Sequence, residues 1–233
     1  GAIKYMGGYK TVSNLVKSLI SDLNITIPVA LHLDHGSSYE SCVKAIDNGF
    51  TSVMIDASKY PLEENINITK QVVLYAKDKN VTVEAEVGAV GGEEDGVANE
   101  LAYAKVEDAT KLVSETNIDF LAPALGSVHG IYKGEPKLDF ERMIKIHELV
   151  KLPLVLHGGS GIPDELIKKA ISCGICKINI NTELQIAWSK DVRKYLAENN
   201  VVYDPRKVIK SGEMAMKEMI TEKIILFASN GKA

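Results

Sequence analysis

Three of the five histidines in this sequence follow separate short apolar runs that are typical of β-strands. They are His35, His129 and His157. A single histidine at a strand end is usually a hydrogen-bonded structural residue, but three that converge on one place suit a metal ion. Neutral imidazoles are good zinc ligands, and three protein ligands leave a coordination position open for a substrate. The spacing therefore predicts a catalytic metal site.

Carboxylates accompany these histidines. Asp34 precedes the first histidine, and Asp56 ends the next apolar run. Glu84 and Glu86 are two residues apart, so in a strand they share one face, with Glu86 nearer the carboxyl end. His32 lies one layer below Asp34 and is predicted to orient a neighbour rather than bind metal. Carboxylates beside a metal site can serve as further ligands or as general acids and bases.

A glycine-rich turn follows the third histidine, with the sequence Gly158-Gly159-Ser160-Gly161. Pro163 then opens a helix, a position where its missing N–H does no harm. Such short stretches are most often plain turns. Exposed backbone N–H groups before a helix can also bind an anion, and barrel enzymes often bind phosphate after a late strand.

A second glycine-flanked segment, Gly91 to Gly96, contains Glu93, Glu94 and Asp95. Acidic runs of this kind are usually solvated loops. The flanking glycines also fit a mobile lid that carries an acid or base.

The elements that must position these residues alternate between strand and helix. Six strands are predicted at 28–33, 51–56, 81–87, 118–123, 153–157 and 175–180. Strand starts recur about every thirty residues with a helix after each one, as βαβ units require. The strands are apolar almost throughout, which indicates a sheet covered on both faces. A doubly wound sheet is the competing architecture, but no glycine-rich dinucleotide motif follows a first strand. Polar residues at nearly every strand end favour a (β/α)8 barrel within one domain, 1–233.

Composition narrows the class of protein. Lys and Arg number 27 and Asp and Glu 31, giving a net charge of −4, so nothing suggests nucleic-acid binding. No apolar run has the length of a membrane span. Three cysteines suit a reducing compartment, and we expect a cytoplasmic location. Cys173 and Cys176 have a CxxC spacing without a second pair, so packing is the preferred interpretation.

The motifs, in this order, resemble those of class II (metal-dependent) fructose-bisphosphate aldolases, in the branch shared with tagatose-bisphosphate aldolases. The likeness runs the length of the chain and is carried by ALHLDHG (30–36), SVMIDAS (52–58), EAEVG (84–88), APALGSVHGIY (122–132), GEPKLDF (134–140), PLVLHGGSG (153–161), KININTE (177–183) and YDPRK (203–207).

The resemblance implies a role for each matching residue. The catalytic zinc ligands would be His35, His129 and His157, and a second, alternative metal position would use Asp56 and Glu86. Asp34 would pass a proton to and from the aldehyde-derived oxygen, and Glu94 would remove the substrate proton. Arg206 would meet one phosphate. The dihydroxyacetone phosphate site would comprise Gly130, Gly158, Gly159, Ser160, Asn179, Ile180, Asn181 and Thr182. A monovalent cation near the phosphate is also implied.

The family barrel has eight strands, whereas six are predicted here. The first strand and most of the second are not accounted for, and we expect roughly fifty residues to precede Gly1, about one and a half βα units. The resemblance also implies a homo-oligomer, a dimer or a tetramer.

The leading interpretation is an aldolase that cleaves fructose 1,6-bisphosphate. The chemistry supports this interpretation independently of the resemblance. Breaking a carbon–carbon bond next to a ketone leaves an enediolate, which a Lewis acid stabilises. Lys177 is the nearest candidate for a Schiff-base lysine, and it begins a strand. Tagatose 1,6-bisphosphate differs at one hydroxyl, and these motifs do not separate the two substrates. A barrel metallohydrolase and an inactive metal-binding homologue are remoter alternatives.

Overall fold

The computed structural model describes residues 2–94 and 97–232, with the side chains of 3–92 and 100–232. Its nine helices in this part of the chain are α1 (Ala2–Tyr5), α2 (Tyr9–Asp22), α3 (Tyr39–Asp47), α4 (Leu62–Lys77), α5 (Val106–Thr116), α6 (Phe140–Val150), α7 (Asp164–Ser172), α8 (Thr182–Glu198) and α9 (Pro205–Leu226). The strands described are β1 (His32–Gly36), β2 (Ser52–Ile55), β3 (Thr82–Val87), β4 (Gly91–Glu94), β5 (Val97–Asn99), β6 (Phe120–Pro123), β7 (Val128–His129), β8 (Leu154–Leu156) and β9 (Ile175–Ile178).

Six strands form one parallel sheet in the order β1-β2-β3-β6-β8-β9, which is the chain order of the six predicted strands. Each strand leads through a helix to its neighbour, so the predicted α/β architecture of a partial barrel is confirmed. Strand β2 is buried at every position, as expected of a strand covered on both faces.

The sheet is strongly curved, although β1 and β9 lie at its two edges. The Lys177 ammonium nitrogen on β9 is 3.3 Å from His32 Nε2 on β1. Just beyond β9, the Asn179 amide donates to both carboxylate oxygens of Asp34 at 3.0 Å. Residues from the two edge strands therefore meet across the concave face, which is the face that carries the polar strand ends.

The larger core lies between the sheet and the helices, and a small second cluster of Met54, Ala122 and Val155 fills the concave side. Local signals fix the helix ends. In α3, the Ser38 hydroxyl accepts from the Ser41 N–H and the Ser41 hydroxyl accepts from the Ser38 N–H, a reciprocal cap.

Helix α9 begins at Pro205. The Asp204 side chain caps it by accepting from the Arg206 N–H. Gly212 lies inside this helix. Glycine is needed there because a Cβ would lie 2.3 Å from the Trp188 ring of α8. No helix in the described part of the chain is long and apolar enough to cross a membrane.

The segment after β3 differs from the predicted loop. Strand β4 pairs antiparallel with β5 and parallel with β7, so the segment is a hairpin in a second, three-stranded sheet. Gly92 makes this pairing sterically possible: its φ is 93°, and a Cβ there would lie 2.2 Å from the His129 carbonyl oxygen. Asp95, Gly96 and the Glu94 side chain lie outside the described residues.

Candidate active site

The three strand-end histidines meet at the carboxyl edge of the sheet. Ligand atoms of His35, His129 and His157 all lie within 4.8 Å of one another. Their ring centroids are 5.1 Å apart for His35 and His129, 4.6 Å for His35 and His157, and 5.9 Å for His129 and His157. Three imidazole nitrogens at this separation fit a zinc ion with an open coordination position.

His35 reaches this position through a local distortion of β1. The register between β1 and β2 shifts between Leu33 and Gly36, and His35 itself has a φ of 45°, a left-handed conformation that is uncommon outside glycine. Bulges of this kind re-aim side chains next to active sites. The next residue, Gly36, packs closely against β2, and a Cβ there would lie 2.4 Å from the Met54 carbonyl oxygen.

Two of the histidines are oriented by carboxylates behind them. His35 Nδ1 is 2.9 Å from Asp56 Oδ2, and His157 Nε2 is 2.8 Å from Glu84 Oε1. Because a carboxylate accepts, these bonds assign the ring hydrogen to Nδ1 in His35 and to Nε2 in His157. The opposite nitrogen of each ring then carries the lone pair that a metal needs.

Glu84 is the centre of a polar network that the sequence did not single out. It is 1% exposed and accepts from His157 and from the Lys177 ammonium, the latter at 2.7 Å. Burial alone would raise the pKa of Glu84, but the His157 hydrogen bond and the Lys177 charge outweigh it and lower the pKa to about 2. The sequence indicated this only by placing Glu84 two residues before Glu86, on the same face of the strand.

A second group of candidate ligands consists of His35, Asp56 and Glu86, whose ligand atoms also lie within 4.8 Å of one another. It shares His35 with the histidine triad, so the two positions draw on a common ligand. Burial would raise the pKa of Asp56, but hydrogen bonds from His35 and Ser58 outweigh it and lower the pKa to about 2.

Glu86 is in the opposite electrostatic state. Burial, together with the negative charge of Asp56, raises the pKa of Glu86 to about 7. Among the described residues, its Oε2 has no hydrogen-bond partner. A buried carboxylate oxygen without a partner beside two other ligand atoms fits a metal position, because a cation would compensate its charge.

We expect this carboxylate to make the metal-free protein less stable as the pH rises. The pKa of Glu86 is raised from the ordinary glutamate value of 4.5, which applies to the unfolded chain, to about 7 in the fold. Between these values the folded state binds more protons, so the free energy of unfolding falls with rising pH, by about 3 kcal/mol in total. Urea unfolding with a chelator present, from pH 4.5 to pH 7.5, measures it.

The control for this measurement is Glu86→Gln, which removes the titration. The pKa of His32 is lowered to about 4 by burial and by the charge of Lys177, so His32 contributes a slope of opposite sign between about 4 and 6.5. The difference between wild type and Glu86→Gln isolates Glu86. Parallel stability curves for the two proteins would contradict its raised pKa.

Asp34 lies at the mouth, exposed, and is held by the Asn179 amide. The same amide nitrogen is 3.3 Å from His157 Nδ1. Asn179 thus lies between the candidate acid and a candidate metal ligand. His32 belongs to neither group of candidate ligands among the described residues, its Nδ1 lies 2.8 Å from Ser52 Oγ, and its orienting role stays a prediction.

The first three residues of the glycine-rich turn are buried, and the turn lies against the start of α8. Gly158, Gly159 and Ser160 are all buried, and the Ser160 hydroxyl accepts from the N–H groups of Asn181 and Glu183 at 3.3 and 3.4 Å. The turn thus lies beside a helix N-terminus, an arrangement suited to a phosphate. Thr182 begins α8, Ile180 is half-buried just before it, and Gly130 follows β7.

The Glu183 carboxylate bonds both to this turn and to the last helix. Its Oε1 accepts from the Gly161 N–H at 2.7 Å, and its Oε2 is 2.6 Å from the Lys223 ammonium of α9. The sequence singled out neither side chain. Arg206, by contrast, has an 89% exposed side chain paired with Asp204, and no hydrogen bond or ion pair joins it to the other described site residues.

Comparisons with known proteins agree with this arrangement. The family model "Fructose-bisphosphate aldolase class-II" matches residues 1–232. Fructose-bisphosphate aldolases of Geobacillus stearothermophilus and Staphylococcus epidermidis are 60% and 57% identical over 234 residues, covering 100% of this chain and 82% of each relative.

A solved aldolase structure is also similar to this chain. The YdjI aldolase of Escherichia coli K12 superimposes with a TM-score of 0.83 at 39% identity, covering 97% of this chain and 78% of that one. With the family model spanning almost every residue and relatives of this identity, the chain belongs to the class II fructose-bisphosphate aldolases, lyases that cleave fructose 1,6-bisphosphate into dihydroxyacetone phosphate and glyceraldehyde 3-phosphate.

Proposed function

We propose that His35, His129 and His157 hold the catalytic zinc of this aldolase, and that Asp56 and Glu86 provide an alternative second position. The observation that carries the proposal is that one ring nitrogen of each of the three histidines lies within 4.8 Å of the other two. When bound, the metal supplies positive charge that stabilises the enediolate left by carbon–carbon cleavage. The carboxylates behind His35 and His157 keep their rings in the ligating tautomer.

Asp34 performs the proton transfer at the breaking bond in this proposal. Its carboxylate takes the proton of the C4 hydroxyl while the C3–C4 bond breaks, so that this oxygen becomes the aldehyde carbonyl. The electron pair of the bond stays on the ketone fragment as the enediolate. Asn179, which donates to both Asp34 oxygens, holds the carboxylate in place.

Glu94 then protonates C3 of the enediolate to give dihydroxyacetone phosphate, and removes the same proton in the condensation direction. Support for Glu94 comes from the chain path: β4, which contains it, pairs with β7, which contains His129. The hairpin is therefore joined by backbone hydrogen bonds to the segment that supplies a candidate metal ligand.

The phosphate of dihydroxyacetone phosphate is proposed to bind at the turn of Gly158, Gly159 and Ser160 and at the segment 179–182, with Gly130 beside it. The Ser160 hydroxyl already joins these segments. Arg206 is the proposed partner of the second phosphate, and its exposure at the start of α9 leaves its guanidinium accessible. A monovalent cation near the phosphate, a homo-oligomeric assembly, a single domain and a cytoplasmic location stay predictions.

We expect a chelator to abolish cleavage, zinc to restore it, and borohydride with substrate to have no effect. A Schiff-base aldolase would be trapped by borohydride, whereas here the candidate lysine, Lys177, is already engaged by Glu84 at 2.7 Å. The measurement is a coupled assay that detects glyceraldehyde 3-phosphate. Inactivation by borohydride only when substrate is present would contradict the metal mechanism.

The relatives at 60% and 57% identity are fructose-bisphosphate aldolases, which favours the fructose substrate over its tagatose epimer. The same assay with tagatose 1,6-bisphosphate compares the two directly. The metallohydrolase alternative lacks support, since the family is that of an aldolase.

A further inference from the structure

Tyr132 connects two of the three backbone segments that carry the candidate zinc ligands. Its phenolic oxygen accepts a hydrogen bond from the Val128 N–H at 3.0 Å and donates one to the Gly158 carbonyl at 3.0 Å. Val128 directly precedes His129, and Gly158 directly follows His157. One hydroxyl therefore bonds to the backbone of the residue next to His129 and to that of the residue next to His157.

The two segments come from distant parts of the chain and meet closely at this point. Gly158 has a φ of 64°, and a Cβ there would lie 2.4 Å from the Val128 carbonyl oxygen. Residues 121, on β6, and 154, on β8, are paired, but β7 itself pairs with β4 in the other sheet. The relative position of His129 and His157 therefore depends on contacts outside the main sheet.

We infer that Tyr132 is a positioning residue that sets the separation of His129 and His157 and also anchors the first residue of the phosphate turn. The inference rests on the proposed metal site. Its ring is half-buried and packs against the main core, so the hydroxyl is held at a defined point. The hydroxyl bonds to the backbone next to the two ligands rather than to their imidazoles, so it acts by reducing the freedom of the two segments before metal binds.

The test is Tyr132→Phe, which keeps the ring and removes only the oxygen. The matched control is Tyr103→Phe, because the Tyr103 hydroxyl also donates to a backbone carbonyl of a distant loop, that of Lys137 at 2.9 Å, away from the ligands. Zinc affinity of each metal-free protein is measured by competition with a chromophoric chelator. We expect the zinc Kd of Tyr132→Phe to rise by about 10- to 100-fold and that of Tyr103→Phe to be unchanged.

Steady-state kinetics at saturating zinc supplies a second readout. We expect kcat of Tyr132→Phe to return to the wild-type value while KM for fructose 1,6-bisphosphate stays about 3- to 10-fold higher, because the phosphate turn has lost one hydrogen bond. A general packing defect would instead lower the unfolding midpoint and leave the zinc Kd and KM unchanged.

The outcomes separate this inference from the proposed function. If wild type and Tyr103→Phe bind zinc and Tyr132→Phe binds it equally well, the inference is overturned and the proposed metal site stands. If none of the three proteins binds zinc, the metal site itself is contradicted, and the positioning role is overturned with it. A weakened zinc Kd in both variants would show a nonspecific effect of losing a tyrosine hydroxyl and would also overturn the inference.

Discussion

Replacing His157 with glutamine is expected to remove the zinc and to lower kcat/KM for fructose 1,6-bisphosphate by about 10³-fold or more. The loss of Lewis-acid stabilisation is worth several kcal/mol, and each 1.4 kcal/mol is about tenfold in rate. Glutamine is chosen because its amide can still donate to Glu84, which would otherwise lose its bond at 2.8 Å. Zinc content after dialysis and the coupled assay are the two measurements.

The control is His147→Gln, the same change at a histidine of α6 that packs against Gly174 and belongs to neither group of metal ligands. It should retain zinc and activity. Zinc at one ion per chain in His157→Gln, with wild-type turnover, would show that this imidazole is not a ligand.

Asp34→Asn should behave in the opposite way with respect to the metal. We expect kcat to fall by about 10²- to 10⁴-fold, the usual contribution of a general acid or base, with zinc content unchanged. Asparagine has the shape of aspartate, so the contact with Asn179 can be rebuilt, but it cannot take the proton of the C4 hydroxyl. Zinc analysis and kcat on the same preparation test both halves of the expectation.

Asp22→Asn is a matched control, since Asp22 is an exposed residue at the end of α2. Loss of zinc from Asp34→Asn would make Asp34 a metal ligand rather than a proton-transfer group. Wild-type kcat in that variant would assign the proton transfer elsewhere.

The strand ends could be predicted from sequence because parallel strands place their carboxyl ends at one edge. That geometric rule is enough to bring His35, His129 and His157 together, whichever helices lie between them. It also placed Asp34, Asp56 and Glu86 at the same edge. The metal and proton-transfer roles of these residues stay predictions that the experiments above test.

Other parts of the site depend on contacts that a linear pattern does not contain. The shift in register that turns His35 toward the other ligands involves no unusual residue type, and the left-handed backbone there falls on a histidine rather than a glycine. An acidic run flanked by glycines predicts a solvated loop, whereas the structure has the hairpin of β4 and β5 at this place. Here Gly92 is required for close approach to the His129 backbone.

The sequence pattern likewise does not contain the contact between Glu84 and Lys177. Their importance comes from burial and from mutual pairing across the concave face, at 2.7 Å between residues on β3 and β9. Pro205 at the first position and Asp204 as the cap begin α9, and Arg206 therefore lies in a helix.

The contacts between the two edge strands have a consequence for how the enzyme is made. Asn179 and Asp34 are 145 residues apart in sequence, as are Lys177 and His32. Contacts this distant close large loops, so they are slow to form and come late in folding. During synthesis, the candidate acid Asp34 leaves the ribosome long before Asn179, whose amide holds its carboxylate. A nascent chain that ends before Asn179 therefore lacks the amide that holds Asp34, even when the first three strands and their helices have been synthesised.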